Sequence, residues 1–191
     1  MDTKSDKQLV VETLKNGEKF SFLMKKYEKK LLYYIKRLSN ISQEDAEDLL
    51  QEIFIKTYEN LNDYNPKYQF STWIYRITYN HVISHFRKTK ARPQLLSSED
   101  NLILVEKIAS DFNIPKDLDK KYTEKAIKRL LKKLDKKYRD VLILKFLEEK
   151  DYKQIAYILK RPMGTVATLL NRAKKKFKEI LEANNITDFT S

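Results

Sequence analysis

Four sets of residues in this 191-residue chain have types and spacings that could do chemistry. Asp45, Asp48 and Glu52 stand at i, i+3 and i+7, so a helix would put three carboxylates on one face, where they could hold Mg²⁺. His81 and His85 stand at i, i+4 and could supply two zinc ligands, fewer than a zinc site takes. Phe70, Trp73, Tyr75 and Tyr79 are interleaved with Arg76, Asn80 and Arg87. Ring faces can stack on unpaired bases, and an amide can hydrogen-bond a base edge. The fourth set is DYKQIAYILKRPMGTVATLLNRAKKKF, residues 151–177. Two apolar-patterned helices flank a turn at Lys160, Arg161 and Pro162, and Arg172, Lys174, Lys175, Lys176 and Lys178 follow. That is the layout of a helix-turn-helix, in which the second helix enters the major groove and the bases hold phosphates. No convergent His or Lys accompanies the carboxylate trio, so a metal-dependent nuclease is the weakest of these readings.

These residues need helices to position them. Apolar spacing predicts helices over 6–15 and 18–38, broken at Asn16 and Gly17; Phe20, Leu23, Met24, Tyr27, Leu31, Tyr34, Ile35 and Leu38 form the inner face of the second. Ser42 is an N-cap for a helix over about 43–61 that buries Ala46, Leu49, Leu50, Ile53, Phe54, Tyr58 and Leu61 and turns Asp48, Glu52, Ile55 and Glu59 outward. Asn62 to Pro66 is a turn, after which Ser71 or Thr72 caps a helix reaching about Lys88. At helical spacing Trp73 and Ile77 are core residues, and Asn80 is the better candidate for DNA. Residues 89–119 lose the period and read as a linker between Pro93 and Pro115, with one short helix near 101–109. Helices resume with Ala126, Ile127, Leu130, Leu131 and Leu134, and again over Tyr138, Val141, Leu142, Leu144, Lys145 and Leu147. Asp151 caps a helix over 152–159. A second, from Met163 or Gly164, turns Val166, Leu169 or Leu170, and Ala173 inward.

Charge is divided unevenly. Residues 1–119 carry 19 bases and 18 acids, whereas residues 120–184 carry 20 bases and 8 acids. A basic block of that density is the footprint of a polyanionic partner. Within the first half, residues 44–63 hold seven acids and only Lys56 as a base, while residues 70–92 hold five bases and no acid. An acidic helix beside a basic one predicts two different partners, a basic protein surface and a nucleic acid. Two glycines, four prolines and abundant helix formers make the chain all-α. Without cysteine there is neither a disulfide nor a thiolate metal site. The polar start is no signal peptide and no apolar run approaches the roughly 18 residues of a membrane span, so the expected location is the cytoplasm.

Three stretches, DAEDLLQEIFIKTYENL (45–61), FSTWIYRITYNHVI (70–83) and LDKKYRDVLILKFLEEKDYKQIAYILKRPMGTV (134–166), resemble signature segments of the extracytoplasmic-function (ECF) sigma factors of RNA polymerase, in that family's order and spacing. The resemblance covers roughly 18–92 and 120–180. It implies a transcription initiation factor without catalytic residues, metal or cofactor. Two small helical domains, 1–92 (region 2) and 120–184 (region 4), would be joined by a flexible linker, 93–119, and followed by a tail, 185–191. Asp45, Asp48, Gln51, Glu52, Ile53 and Phe54 would dock on the β′ clamp helices of core polymerase. Phe70, Ser71, Thr72, Tyr75, Arg76, Tyr79, Asn80, Arg87 and Lys88 would bind and melt the −10 element. Arg161, Met163, Thr165, Ala167, Thr168, Asn171, Arg172 and Lys175 would read the −35 element. The polymerase β flap and an anti-sigma factor are further implied partners, and the linker would thread toward the RNA exit path.

The chain departs from the family in two places. Ser84 stands where an Asp is common. Ala167, Thr168 and Leu169 follow Gly164-Thr165-Val166, where a polar or basic pair is usual. Ala and Thr can touch thymine methyl groups, so the expected −35 site leans toward A/T. The alternative function is a free-standing helix-turn-helix regulator. It needs only residues 120–180 and leaves the acidic 44–63 and aromatic 70–80 segments without a role.

Overall fold

The computed structural model describes residues 4–39, 41–88, 100, 103, 104, 107, 110 and 134–183, with side chains in the last helix described through 176 and at 179. The chain divides into two compact units, residues 1–93 with 157–159, and residues 94–156 with 160–191. Among the described residues all regular structure is helical.

In the first unit α1 (Asp6–Lys15) opens on a reciprocal cap. Ser5 Oγ accepts from the Gln8 N–H, and the Ser5 N–H donates to Gln8 Oε1. Asn16 is extended and ends the helix; its side chain accepts from the Glu18 N–H and starts a 3₁₀ turn, Gly17–Lys19. That turn replaces the first residues of the expected second helix, and α2 runs Phe20–Ser39. α3 (Gln43–Glu59) starts at Ser42, whose Oγ accepts from the Asp45 N–H at 3.0 Å. After a 3₁₀ turn (Leu61–Asp63), α4 spans Phe70–Lys88. It begins one residue before Ser71, and Gln69, not Ser71 or Thr72, accepts the first backbone bonds. The expected side-chain cap is therefore absent.

α2 packs on both α3 and α4, α3 packs on α4, and α1 lies against α2. The shared core holds Leu23, Leu31, Tyr34, Ile35, Ile53 and Ile74. Tyr58, expected inside, is exposed, and its hydroxyl lies over Gly17, where a Cβ would come within 2.3 Å of it. Met24 is likewise outside. Buried hydroxyls on Thr13, Ser39, Thr57 and Thr78 donate to the carbonyl one turn back, so the core carries them without orphaned donors. At one end Tyr27, Tyr64, Phe70 and Trp73 cluster with centroids 5.5 Å apart for Phe70 against each of the others, edge-to-face with the two tyrosines and tilted on Trp73. The buried Tyr27 hydroxyl donates to Asp6 Oδ2 at 2.5 Å, and Asp6 also pairs with Lys26, which fastens α1 to α2. Burial first, and then the neighbouring carboxylate, hold the Tyr27 phenol far above its ordinary pKa, so it remains the donor.

The second unit contains α5 (Lys136–Leu142), which runs into a π turn, Ile143–Leu147, where one continuous helix was expected. The Glu148 N–H reaches back five residues to Ile143 O. The wider turn lets Ile143, Leu144, Phe146 and Leu147 all face inward, more than one stripe of an α-helix can bury. Glu149 then takes φ 53° and the chain reverses. Asp151 and Gln154 cap α6 (Tyr152–Leu159) reciprocally: Gln154 N–H to Asp151 Oδ1 at 2.7 Å, Asp151 N–H to Gln154 Oε1 at 2.9 Å. α7 spans Met163–Ala183 and packs on α5. Ile155, Ile158, Val166, Leu170 and Ala173 are buried; Leu170, not Leu169, is the inner residue. Of the stretch read as linker, residues 103, 104, 107 and 110 are helical, Leu104 is buried, and Lys107 pairs with Glu149 at 2.8 Å. Of the helix expected over Ala126 to Leu134, all but Leu134 lies outside the described residues, and Leu134 is buried at a bend.

Lys160 closes α6 with φ 51°, and the Arg161 N–H bonds to Ala156 O at 3.0 Å. A left-handed conformation costs a residue with a Cβ roughly 1–2 kcal/mol. Glycine removes that strain but costs about 0.5–1 kcal/mol in chain entropy. Lys160→Gly is expected to stabilise the second unit by up to about 1 kcal/mol, and Lys160→Val to destabilise it. Thermal unfolding midpoints check both.

Candidate nucleic-acid and protein interfaces

The outer face of α3 is a continuous acidic surface. Glu44, Asp45, Glu47, Asp48, Gln51, Glu52 and Glu59 are exposed, with Ile55 exposed among them. The resemblance placed Ile53 and Phe54 on the same docking surface, whereas their spacing placed them in the buried stripe, and the structure agrees with the spacing. They are 0% and 5% exposed and belong to the core, because they occupy the stripe opposite the acids. Ile55 is the apolar side chain that the outer face offers.

α4 presents a different surface. Asn80, Arg87 and Lys88 are exposed, and Ser71, Arg76, Ile77, Tyr79, His81 and Ser84 are half-buried. Phe70, Thr72 and Tyr75, read as DNA contacts, are buried, as is Trp73, which the sequence read as core. Phe70 is enclosed by Tyr27, Tyr64 and Trp73, and Tyr75 stacks on Tyr34 at 4.8 Å. Their role is to hold α4 in place. A stacking platform for bases is reduced to Tyr79.

A contact between these two helices escaped the sequence reading. His81 Nε2 lies 2.7 Å from Glu52 Oε2, bridging residues 29 apart. His81 Nδ1 is buried without a partner. Burial lowers the imidazole pKa below 6.5, the Glu52 bond opposes that shift, and Lys56 and His85 reinforce it. The ring is neutral at pH 7 and donates Nε2–H to the carboxylate, which can only accept. The fold therefore uses His81 as a brace, and among the described residues no group of three or more His, Asp or Glu is placed to hold a metal. A depressed histidine pKa means that the unfolded chain takes a proton where the folded one does not. The stability it supports is intact above pH 6.5 and falls as the pH drops from there through the lowered value. The groups facing it are Glu52 and Lys56 from α3 and His85 from α4. Unfolding midpoints between pH 7.5 and 5 are expected to fall less steeply in His81→Asn than in the parent.

On α7 the buried Val166, Leu170 and Ala173 face inward, so Gly164, Thr165, Thr168, Asn171, Arg172 and Lys175 lie exposed on the opposite side. Met163 is 58% exposed, Arg161 is exposed, and Ala167 sits half-buried at the flank. From 163 to 178 the helix carries five bases and no acid. The structure thus brings all eight residues read as the third site onto or beside one helix face.

Two family models match this chain, Sigma-70 region 2 over residues 23–92 and Sigma-70, region 4 over residues 124–177. The ECF RNA polymerase sigma factor SigW of Bacillus subtilis is 31% identical over 178 residues, 90% of this chain and 94% of that protein. The chain belongs to the ECF class of RNA polymerase sigma factors. Two solved structures share the fold of this sigma factor. CnrH, in complex with the cytosolic domain of CnrY, is 20% identical with a TM-score of 0.66 over 95% of this chain and 100% of that one. RpoE of Bartonella quintana, in complex with the anti-sigma factor NepR, is 19% identical with a TM-score of 0.58 over 85% and 96%. The sigma factor directs RNA polymerase to promoters and initiates transcription there. The region 2 match lies within the first unit, with α1 before it, and the region 4 match spans α6, the turn and α7 as far as residue 177. The acidic α3 and the α4 that follows it are region 2, so a free-standing helix-turn-helix regulator is not the better account of the chain.

Proposed function

We propose that the three outward helix faces divide the work of this sigma factor. The exposed acids of α3, Asp45, Asp48 and Glu52 with Gln51, dock on the basic clamp helices of the polymerase β′ subunit. α4 reads and opens the −10 element through Asn80, Arg76, Arg87 and Lys88, with Ser71 and Tyr79 at the edge. α7 reads the −35 element through Arg161, Met163, Thr165, Ala167, Thr168, Asn171, Arg172 and Lys175. The region 4 unit also meets the β flap, and an anti-sigma factor is a further partner, as NepR is for RpoE of Bartonella quintana. The site of action is the cytoplasm, where polymerase and promoter DNA meet.

One observation carries this reading: the exposed faces segregate by charge, acidic on α3 apart from Lys56, and basic without acids on α4 and along α7 to residue 176. Acids there would repel DNA, and bases on α3 would repel the clamp. Melting needs no catalytic group. Extruding a base costs a few kcal/mol, and contacts to the freed base and its backbone offset that cost. With Phe70, Trp73 and Tyr75 inside the fold, hydrogen bonds from Asn80 and phosphate contacts from the bases are the main source of that offset.

The test is reconstituted transcription. Core polymerase from the native source, mixed with the purified protein and fragmented genomic DNA, is expected to yield discrete transcripts that core alone does not. Their start sites define the −10 and −35 elements. A protein that neither binds core nor changes the transcripts overturns the reading.

A further inference from the structure

Two features at the start of α7 have no explanation inside the fold. Gly164 is exposed and helical, without a positive φ, and a Cβ built there meets nothing within 4 Å. Neither backbone conformation nor packing calls for glycine, although glycine weakens a helix relative to alanine. Thr168, one turn on, is exposed, and its hydroxyl donates to Gly164 O at 2.9 Å. The proton of Thr168 is thereby committed to its own helix, and its methyl group is the uncommitted apolar part. Both residues lie on the side opposite Val166, Leu170 and Ala173, with Arg172 and Lys175 continuing the same face toward the C-terminus.

We propose that Gly164 and Thr168 form a notch, bare of side chain at Gly164 and edged by the Thr168 methyl, that receives the C5-methyl group of one thymine in the −35 element. The inference rests on the assignment of α7 to that element. A bare glycine lets the helix axis approach the base edges more closely than any other residue would. A methyl group is the one mark that thymine displays in the major groove and uracil lacks. Thr165 and Ala167 flank the notch without filling it, and Arg172 and Lys175 supply phosphate contacts that fix its register.

The test uses holoenzyme assembled from core polymerase and the full chain. DNA duplexes carry a −10 element from a mapped start site and a randomised −35 window. Selection is expected to return a thymine at one position, and deoxyuridine there is expected to weaken binding about fourfold, the equivalent of roughly 0.8 kcal/mol for one buried methyl group. Thr168→Ser keeps the hydroxyl and removes the methyl, so its holoenzyme is expected to bind thymine and uracil templates alike. Gly164→Ala is expected to unfold at the same or a higher temperature, to bind core undiminished, and to lose about tenfold in −35-dependent affinity. Equal binding of thymine and uracil templates at every selected position, or full −35 affinity in Gly164→Ala, overturns the notch. If Arg172→Ala and Lys175→Ala also leave the affinity for −35-containing duplexes at its parental value, the assignment of α7 falls with it.

Discussion

Charge reversal at Asp48 and Glu52 to lysine is expected to abolish assembly with core polymerase while the protein stays folded. Both side chains are exposed on the acidic face of α3 and neither contributes to the core. Juxtaposing like charges in an interface costs several kcal/mol, so the two reversals are expected to raise the dissociation constant by at least about a hundredfold at moderate salt. The loss is expected to shrink as salt is added, because opposed charges near a surface are screened over about 10 Å at 0.1 M. Glu52 also braces His81, and its reversal removes that bond. Asp48→Lys alone leaves the brace and separates the two effects. Competition for core against the parent protein, together with circular dichroism of each variant, measures both. A doubly reversed protein that still binds core with parental affinity removes α3 as the docking face.

Phe70→Ala is expected to cost about 3–5 kcal/mol, the usual range for deleting a buried phenylalanine. Phe70 is 1% exposed and touches Tyr27, Tyr64 and Trp73. Against the 5–15 kcal/mol that holds a typical domain together, this loss unfolds much of region 2. The variant should therefore lose core binding as well as promoter opening. Asn80→Ala, at an exposed position on the same helix, should keep core binding and lose promoter opening alone. A Phe70 variant with parental stability and a defect confined to the promoter would return Phe70 to the DNA surface.

The helical frame was legible because its determinants are local. Apolar spacing marks α2, α3, α4 and α7, and the Ser42 and Asp151 caps act within three residues of themselves. Asp151 and the Lys160–Pro162 turn place α6 at Tyr152–Leu159, the expected span. The errors arose where the deciding interaction is distant or the period is ambiguous. Phe70 and Tyr75 are aromatic neighbours of Arg76 and Asn80, and only their partners on α2 and the 61–69 turn show that they face inward, whereas helical spacing alone marked Trp73 as core. For Ile53 and Phe54 the apolar spacing already marked the buried stripe; the docking role came from the resemblance alone, and adjacent helical positions point about 100° apart, which turns them away from Glu52. A run of apolar residues cannot distinguish an α turn from a π turn, which concealed the widening at Ile143–Leu147. The Glu52–His81 bond joins two helices and has no local spacing at all.

The fastening of α1 separates two kinds of boundary. The matched family segment starts at residue 23, inside α2. Asp6, the acceptor for the buried Tyr27 hydroxyl, lies 21 residues before Tyr27, and Phe20 packs edge-on against Phe54. A fragment cut to the matched segment would lose the Asp6 acceptor of the Tyr27 hydroxyl, the Asp6–Lys26 pair and Phe20 from beside Phe54. The span of the family model is thus shorter than the stretch of chain whose contacts close this core. Those contacts reach back to Asp6 in the first turn of α1.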